Sequence, residues 1–276
     1  MRKRTKKPQK ISPFENLTQL LEQYRSSKNR TLRFGFSHAS VSEIAQQYYC
    51  EMQLEMINKY GRIETEAMIT GAQSHEGISK YAEEVEDMDV VRQQVASGRI
   101  IHLLESLVLM KYKDVFVLGV PDRVVFTKNK PYFVIEHKFS HDPHFNQSHH
   151  VQANLYCLIL NQLGFNTANL YYIIVVTTFS CKDCLALKEE RIISTAKKKK
   201  GVIIKRKSIC PECKDGNIIM QSKKFDKKNI VEDLEWALDY WLKRRDAIPT
   251  KKVWKCRACK YNSKCPASLF KKSSRE

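Results

Sequence analysis

Residues 119–140 read GVPDRVVFTKNKPYFVIEHKFS. Runs rich in β-branched and aromatic residues flank a polar turn, so the stretch predicts two strands joined at 128–131. Strands this apolar belong in a core, yet they carry Asp122, Glu136 and Lys138. Residues two apart on a strand share a face and sit roughly 6.6 Å apart, so Glu136 and Lys138 project together. The turn brings Asp122 approximately opposite them. Two carboxylates converging on a sheet surface repel unless a cation neutralises them, and oxygen ligands of this kind suit Mg2+ or Mn2+. A lysine beside them can orient or deprotonate a water, or stabilise negative charge in a transition state. By itself an E-x-K pair is also what a salt-bridged edge strand with a solvated face would show.

Working outward, the stretch 100–140 has the period-two alternation of three strands, IIHLLESLVLMKY, DVFVLGVPDRVVF and PYFVIEHKFS. Upstream, SVSEIAQQYYCEMQLEMINKYG (40–61) opens with Ser40 and Glu43 at capping-box spacing and ends on Gly61, which predicts one helix bearing Cys50. EAMITGAQSHEGISKYAEEVED (66–87) reads as a second helix, with His75 four residues after Gly71. Downstream, HHVQANLYCLILNQLG (149–164) predicts a helix stopped by Gly164, followed by the buried strand LYYIIVVTT. The histidine-rich HKFSHDPHFNQSHH reads as a polar loop, with His141, His144, His149 and His150 near the lysine-bearing strand. NIIMQSKKF resumes strand character, and NIVEDLEWALDYWLKRRDAIP is an amphipathic helix closed by Pro249.

Lys and Arg outnumber Asp and Glu by 48 to 30, a net charge of +18. Such a surplus suggests a polyanionic partner, either nucleic acid or an acidic membrane face. No apolar run reaches the roughly 18 residues of a membrane span. The basic opening MRKRTKKPQK lacks the apolar segment of a signal peptide, so the expectation is an intracellular, cytoplasmic protein that does not span a membrane.

In a reducing compartment eight of the nine cysteines read as metal ligands before disulfides. Cys157, within LYCLIL, is a buried small hydrophobe. Cys181/Cys184 (CKDC) and Cys210/Cys213 (CPECKDG) have the spacing of two zinc knuckles and can satisfy each other as a Zn2+ ribbon. The lysine run 197–200 inside this segment suits phosphate contact or a solvated loop. The tail trio Cys256, Cys259 and Cys265 is one ligand short of a four-sulfur site, and Cys50 is its best partner, since no histidine follows His150. Four thiolates suit Zn2+ or a [4Fe–4S] cluster, and spacing does not choose between them.

Taken together, Pro121-Asp122 followed one strand later by Glu136-x-Lys138 resembles the PD-(D/E)XK nuclease motif. His75 upstream and Gln152-x3-Tyr156 downstream match the extra motifs of its RecB-like branch. One cysteine before and three after these motifs is similar to the iron–sulfur members, the exonuclease V and CRISPR-associated exonuclease types. The resemblance implies a restriction-endonuclease-like α/β fold, a mixed sheet flanked by helices. It implies that Asp122, Glu136, the carbonyl of His137 and His75 ligate Mg2+ or Mn2+. Lys138 would position the attacking water, and Gln152 and Tyr156 would steady the catalytic strand or the DNA. It also implies that Cys50, Cys256, Cys259 and Cys265 hold [4Fe–4S], and C-E-x-Q at Cys50 looks more like exonuclease V. The zinc ribbon departs from the family pattern as an insertion.

The organisation expected is a basic, flexible N-terminal arm (1–30), a first core segment (31–179), the zinc-ribbon insertion (180–216), and a second core segment with the cysteine trio (217–276). The function expected is a metal-dependent DNA nuclease, an exonuclease on single-stranded ends in repair or replication processing, with a repair helicase as a possible partner. The alternative is trimming of DNA for CRISPR spacer acquisition beside a CRISPR integrase. Two other classes compete, a non-catalytic zinc-ribbon nucleic-acid-binding protein and a metal-clasped scaffold. The intact acid–acid–lysine set weighs against the first of these.

Overall fold

The computed structural model describes residues 11–27, 30–63, 88–97, 100–140, 144–177, 208–209 and 217–270. In chain order these form α1 (Pro13–Ser26), β1 (His38–Ser40), α2 (Val41–Gln47), α3 (Glu51–Tyr60) and α4 (Met88–Ala96). Next come β2 (Ile101–Leu104), β3 (Val108–Tyr112), β4 (Val115–Gly119), β5 (Arg123–Thr127) and β6 (Lys130–Phe139). The long helix α5 (Gln147–Leu163) precedes β7 (Tyr171–Thr177), β8 (Ser208–Ile209), β9 (Asn217–Lys224), α6 (Lys227–Trp241) and α7 (Val253–Ala258).

The expected hairpin is β5–β6. Thr127 stands opposite Lys130, and the two residues between them, Lys128 and Asn129, have φ of 51° and 60°. Two consecutive positive φ values make the primed turn whose twist matches that of paired strands. β6 is no edge strand. The six-stranded sheet runs β2-β5-β6-β7-β9-β8, with β6 antiparallel to β5 and parallel to β7. Val134, Ile135, Glu136 and His137 are consequently all buried, which is why this stretch is apolar on both faces.

The other two predicted strands each divide. IIHLLESLVLMKY becomes β2 and β3, broken at Glu105, whose φ is 40°. DVFVLGVPDRVVF becomes β4 and β5, broken across Val120–Asp122. The first break carries the chain into a second, three-stranded sheet of order β1-β4-β3, and the second break returns it to the six-stranded sheet. Helix α5 packs against β3, β6, β7, α1, α2 and α6, so it lies between the two sheets' contributions to one core. Ten of its residues are buried, Cys157 among them, as expected for a small hydrophobe. Gly164, at φ 102°, ends it.

The helix predicted over 40–61 is also two. Ser40 caps α2, accepting from the amide of Glu43. Cys50 then adopts an extended conformation as the residue preceding α3. Lys255 donates to the main-chain carbonyls of Tyr48 and Tyr49 at 3.2 and 2.9 Å, tying up acceptors that a continuous helix would use.

Several expectations fall outside the described residues. His75 and its predicted helix are among them, as are His141 and the lysine run 197–200. So are all four cysteines of the expected zinc ribbon, Cys181, Cys184, Cys210 and Cys213. Of the 180–216 insertion, only Ser208 and Ile209 are described, as β8, paired antiparallel to the start of β9. Among the described residues no helix is long and apolar enough to cross a membrane.

Candidate active site

The β5–β6 register sets the site. Arg123 pairs with Ile135 and, on the other side, with Leu104. One step further along, past the start of β5, Asp122 comes level with Glu136 on β6 and with Glu105 beyond β2. The main chain of β6 has no β5 partner at this level, and a side chain takes that place: the amide of His137 donates to Asp122 Oδ2 at 2.6 Å. A short N–H···carboxylate bond of this kind fixes the acid's rotamer. Asp122 and Glu136 are thereby held on neighbouring segments, as the hairpin reading expected.

Lys138 projects with Glu136. Its Nζ donates to Glu136 Oε1 at 2.7 Å and to Gln152 Oε1 at 3.0 Å. Gln152 Nε2 in turn donates to the Tyr156 hydroxyl at 3.2 Å, and that hydroxyl donates to the carbonyl of Val120 at 3.1 Å. One helical turn separates Gln152 from Tyr156, so α5 presents both to the strand ends. The result is a relay from the helix to Lys138 at one end and to the segment carrying Asp122 at the other. Gly119 makes this possible. A Cβ there would stand 2.5 Å from Tyr156 Cε1, so only glycine admits the ring.

The electrostatics are those of buried, mutually dependent charges. Burial raises the pKa of Asp122, and the Lys138 charge and the His137 amide only partly counter it; Glu105 raises it further. Burial works against the ammonium of Lys138, but Glu136 and Asp122 outweigh it and raise its pKa. Burial likewise raises that of Tyr156, which keeps its hydroxyl a donor. Glu136 is 1% exposed. Two carboxylates against one ammonium leave a net negative, all-oxygen donor set, which fits a hard divalent cation.

Sequence reading missed Glu105. Its amide donates to the Asp122 carbonyl at 3.4 Å, and the only sequence signal was a Glu-Ser pair inside an apolar run. Of the two histidines at the start of α5, His149 feels the Lys138 charge, whereas His150 lies against Tyr172 on β7. His149 Nδ1 accepts from the amide of Asn146 at the start of α5, and burial followed by the Lys138 charge lowers its pKa to about 3. His150 Nδ1 meets the Tyr172 hydroxyl at 3.3 Å, and burial lowers its pKa to about 4.

Far along the sequence, Cys50, Cys256, Cys259 and Cys265 all line one cavity of about 370 Å3 counting its open mouth. All four are free thiols. The main-chain amides of Tyr261 and Ala267 point at the sulfurs of Cys259 and Cys265, while burial raises both pKa values. Among the described residues, though, no three or more His, Cys, Asp or Glu side chains close into a metal-holding group. Beside the cavity Glu51 is fully buried, accepting from Arg245 Nη1 and Nη2 at 2.6 Å each, from Gln47 Nε2 at 2.7 Å and from the amide of Ile248 at 2.7 Å. This network joins the residue after Cys50 to the segment leading into the cysteine trio.

No curated protein sequence matches the chain. A solved structure described as "Crystal structure of SSO0001" is similar, at a TM-score of 0.47 and 16% identity over 92% of this chain and 96% of that one. The sequence profile of the PD-(D/E)XK nuclease superfamily matches residues 16–266, which span the hairpin, the helix behind it and the cysteine trio. The chain therefore belongs to the PD-(D/E)XK nuclease superfamily.

Proposed function

We propose that this protein is a divalent-metal-dependent deoxyribonuclease, an exonuclease on single-stranded DNA ends, whose active centre is Asp122, Glu136 and Lys138. The observation that carries the reading is the convergence of two carboxylates and one amine at the open end of the β5–β6 hairpin, cross-linked to Gln152 and Tyr156 on α5. Asp122 and Glu136, with the carbonyl of His137, would hold Mg2+ or Mn2+; His75 is the further ligand the family resemblance assigns. A cation bound there supplies a Lewis acid at the scissile phosphate and a water of lowered pKa. Lys138 orients the nucleophilic water and offsets charge developing on the phosphate oxygens. Gln152 fixes the direction of the Lys138 amine, and Tyr156 anchors the Val120 carbonyl, so the carboxylate of Asp122 is positioned before substrate arrives.

The four cysteines around one cavity, two of them receiving main-chain amides, support the iron–sulfur branch of the superfamily. They would bind [4Fe–4S] and clasp the two ends of the fold. The central pairs, Cys181/Cys184 and Cys210/Cys213, would bind Zn2+ as an inserted ribbon, a reading that rests on their spacing alone. Repair or replication processing is favoured over CRISPR spacer trimming by the Cys50-Glu51 context, where the glutamate is committed to Arg245.

The test is hydrolysis of end-labelled single strands with Mg2+ or Mn2+, comparing wild type with Lys138→Met. The wild type should release short products only with metal, and Lys138→Met should bind the strand but turn over at least about a hundred-fold more slowly. Equal rates would refute the assignment of Lys138. No hydrolysis by wild type with either metal would refute the nuclease reading.

A further inference from the structure

We infer that the aromatic, cationic surface formed by the end of α2, α6 and the segment leading through α7 binds single-stranded nucleic acid by stacking its bases. The inference rests on the nuclease reading for its biological sense, but its physical basis is separate. Trp254 is 51% exposed and Trp236 37%, both high for indole rings in a chain with only three tryptophans. Trp236 packs on Tyr48, with ring centroids 5.0 Å apart, and Trp254 meets Tyr49 edge-on at 6.3 Å. Tyr48 and Tyr49 are consecutive, so the two tryptophans flank one short segment.

Each ring is braced by a neighbouring cation. The Arg245 guanidinium lies 4.3 Å from the Trp236 centroid, while its nitrogens are committed to Glu51. Lys255 Nζ lies 4.5 Å from the Tyr49 centroid and 5.7 Å from that of Trp254, while donating to the Tyr48 and Tyr49 carbonyls. These cations hold the rings rather than wait for phosphate. Rings fixed in this way lose little conformational freedom when something stacks on them.

The surrounding charge selects the occupant. Residues 243–265 carry nine Lys or Arg and one acid, Asp246. Lys251 and Lys252 are exposed directly before α7. Exposed apolar rings alone would suit many protein partners. With α6 included, residues 227–265 carry eleven Lys or Arg against five acids (Glu232, Asp233, Glu235, Asp239 and Asp246), and rings set in a belt with that surplus of six positive charges suit a polyanion whose flat apolar groups are accessible. A duplex encloses its base faces and offers none to stack on, so a single strand is the occupant that uses both features.

The binding test separates from catalysis if it is run on the full protein in chelator, without hydrolysis. The probe is a labelled oligothymidylate of about 20 nucleotides, followed by anisotropy and by tryptophan fluorescence. Trp241 is fully buried and donates to Gln47, so it reports folding only, and quenching reads Trp236 and Trp254. We expect saturable quenching, and affinity about ten-fold weaker in Trp254→Ala and in Trp236→Ala, with Trp254→Phe recovering most of the loss. The salt dependence should stay the same, because no phosphate contact is removed.

Wild-type affinity in both alanine variants would overturn the inference. So would equal quenching by a blunt duplex of the same length or by anionic lipid vesicles, or no quenching by the oligothymidylate. If Lys138→Met loses hydrolysis while the tryptophan variants bind normally, the stacking surface fails and the nuclease reading stands. If wild type binds with quenching but hydrolyses nothing with Mg2+ or Mn2+, the surface stands and the nuclease reading fails.

Discussion

Replacing Gly119 with alanine should damage both stability and the proposed catalytic centre, through a single methyl group. Its Cβ would stand 2.5 Å from Tyr156 Cε1, 2.8 Å from Val41 Cγ2 and 2.9 Å from Val41 Cβ. Neither neighbour can retreat cheaply. Val41 is fully buried in the first turn of α2, and the Tyr156 ring is held by Gln152 and by the Val120 carbonyl. Overpacking usually costs about 1–3 kcal/mol, and three sub-contact distances put this case near the upper end, at about 3 kcal/mol. Because Asp122 lies three residues on, any relief by backbone movement is passed to its carboxylate. Urea unfolding should show a lower midpoint with an unchanged slope, and metal-dependent hydrolysis should fall more than the folded fraction does. In a Tyr156→Ala background the ring clash is gone and the Val41 clash remains, so the penalty should shrink by about 1 kcal/mol. Gly119→Ala within about 0.5 kcal/mol of wild type would refute the steric reasoning.

Three further outcomes follow from the same geometry. Glu51→Gln leaves Arg245 largely buried without its countercharge and should cost about 3 kcal/mol in urea unfolding; a cost below about 1 kcal/mol would mean the network is not cooperative. Folded His149 and His150 stay neutral well below the ordinary histidine pKa, so the unfolded chain binds more protons once pH drops under about 6.5. Stability should therefore be full above that pH and fall below it, by about 2 kcal/mol at pH 5 from His149 and by less from the more exposed His150. The cause is partly local, because His149 accepts the Asn146 amide only while Nδ1 is unprotonated. His149→Asn should flatten the acid limb, and an unchanged limb would clear His149 of the effect. Anaerobically purified protein should carry iron and broad visible absorption that Cys265→Ser removes. Colourless protein with stoichiometric zinc at this site would replace the cluster assignment, and an absence of both metals would end it.

How much of this was legible in the sequence depends on whether the deciding contacts were local. The hairpin was readable because strand alternation and turn chemistry are near-neighbour properties, and they alone fix Glu136 and Lys138 on one face. Gln152 and Tyr156 were singled out only by the family resemblance, their spacing on one helix adding that they share a face, and their partner, the Val120 carbonyl, was not legible. The division of IIHLLESLVLMKY between two sheets left no trace, since the break at Glu105 carries neither glycine nor proline. At 119–122, by contrast, Gly119 and Pro121 mark the crossing, and the apolar run on either side hid it. The interruption at Cys50 is decided by Lys255 and Arg245, some two hundred residues away, and a helical period cannot register such partners. Glu51 was visible only as part of Cys-Glu-x-Gln, with nothing to announce that it would be buried.

The central claim is that Asp122 and Glu136 together hold one divalent ion. Titration of Mn2+ followed by electron paramagnetic resonance, on wild type and on the Asp122→Asn/Glu136→Gln double variant, addresses it most directly. The account predicts one site of stoichiometric strength in the wild type that is lost in the variant, with the unfolding transition still cooperative. Equal Mn2+ binding by the two proteins would contradict it.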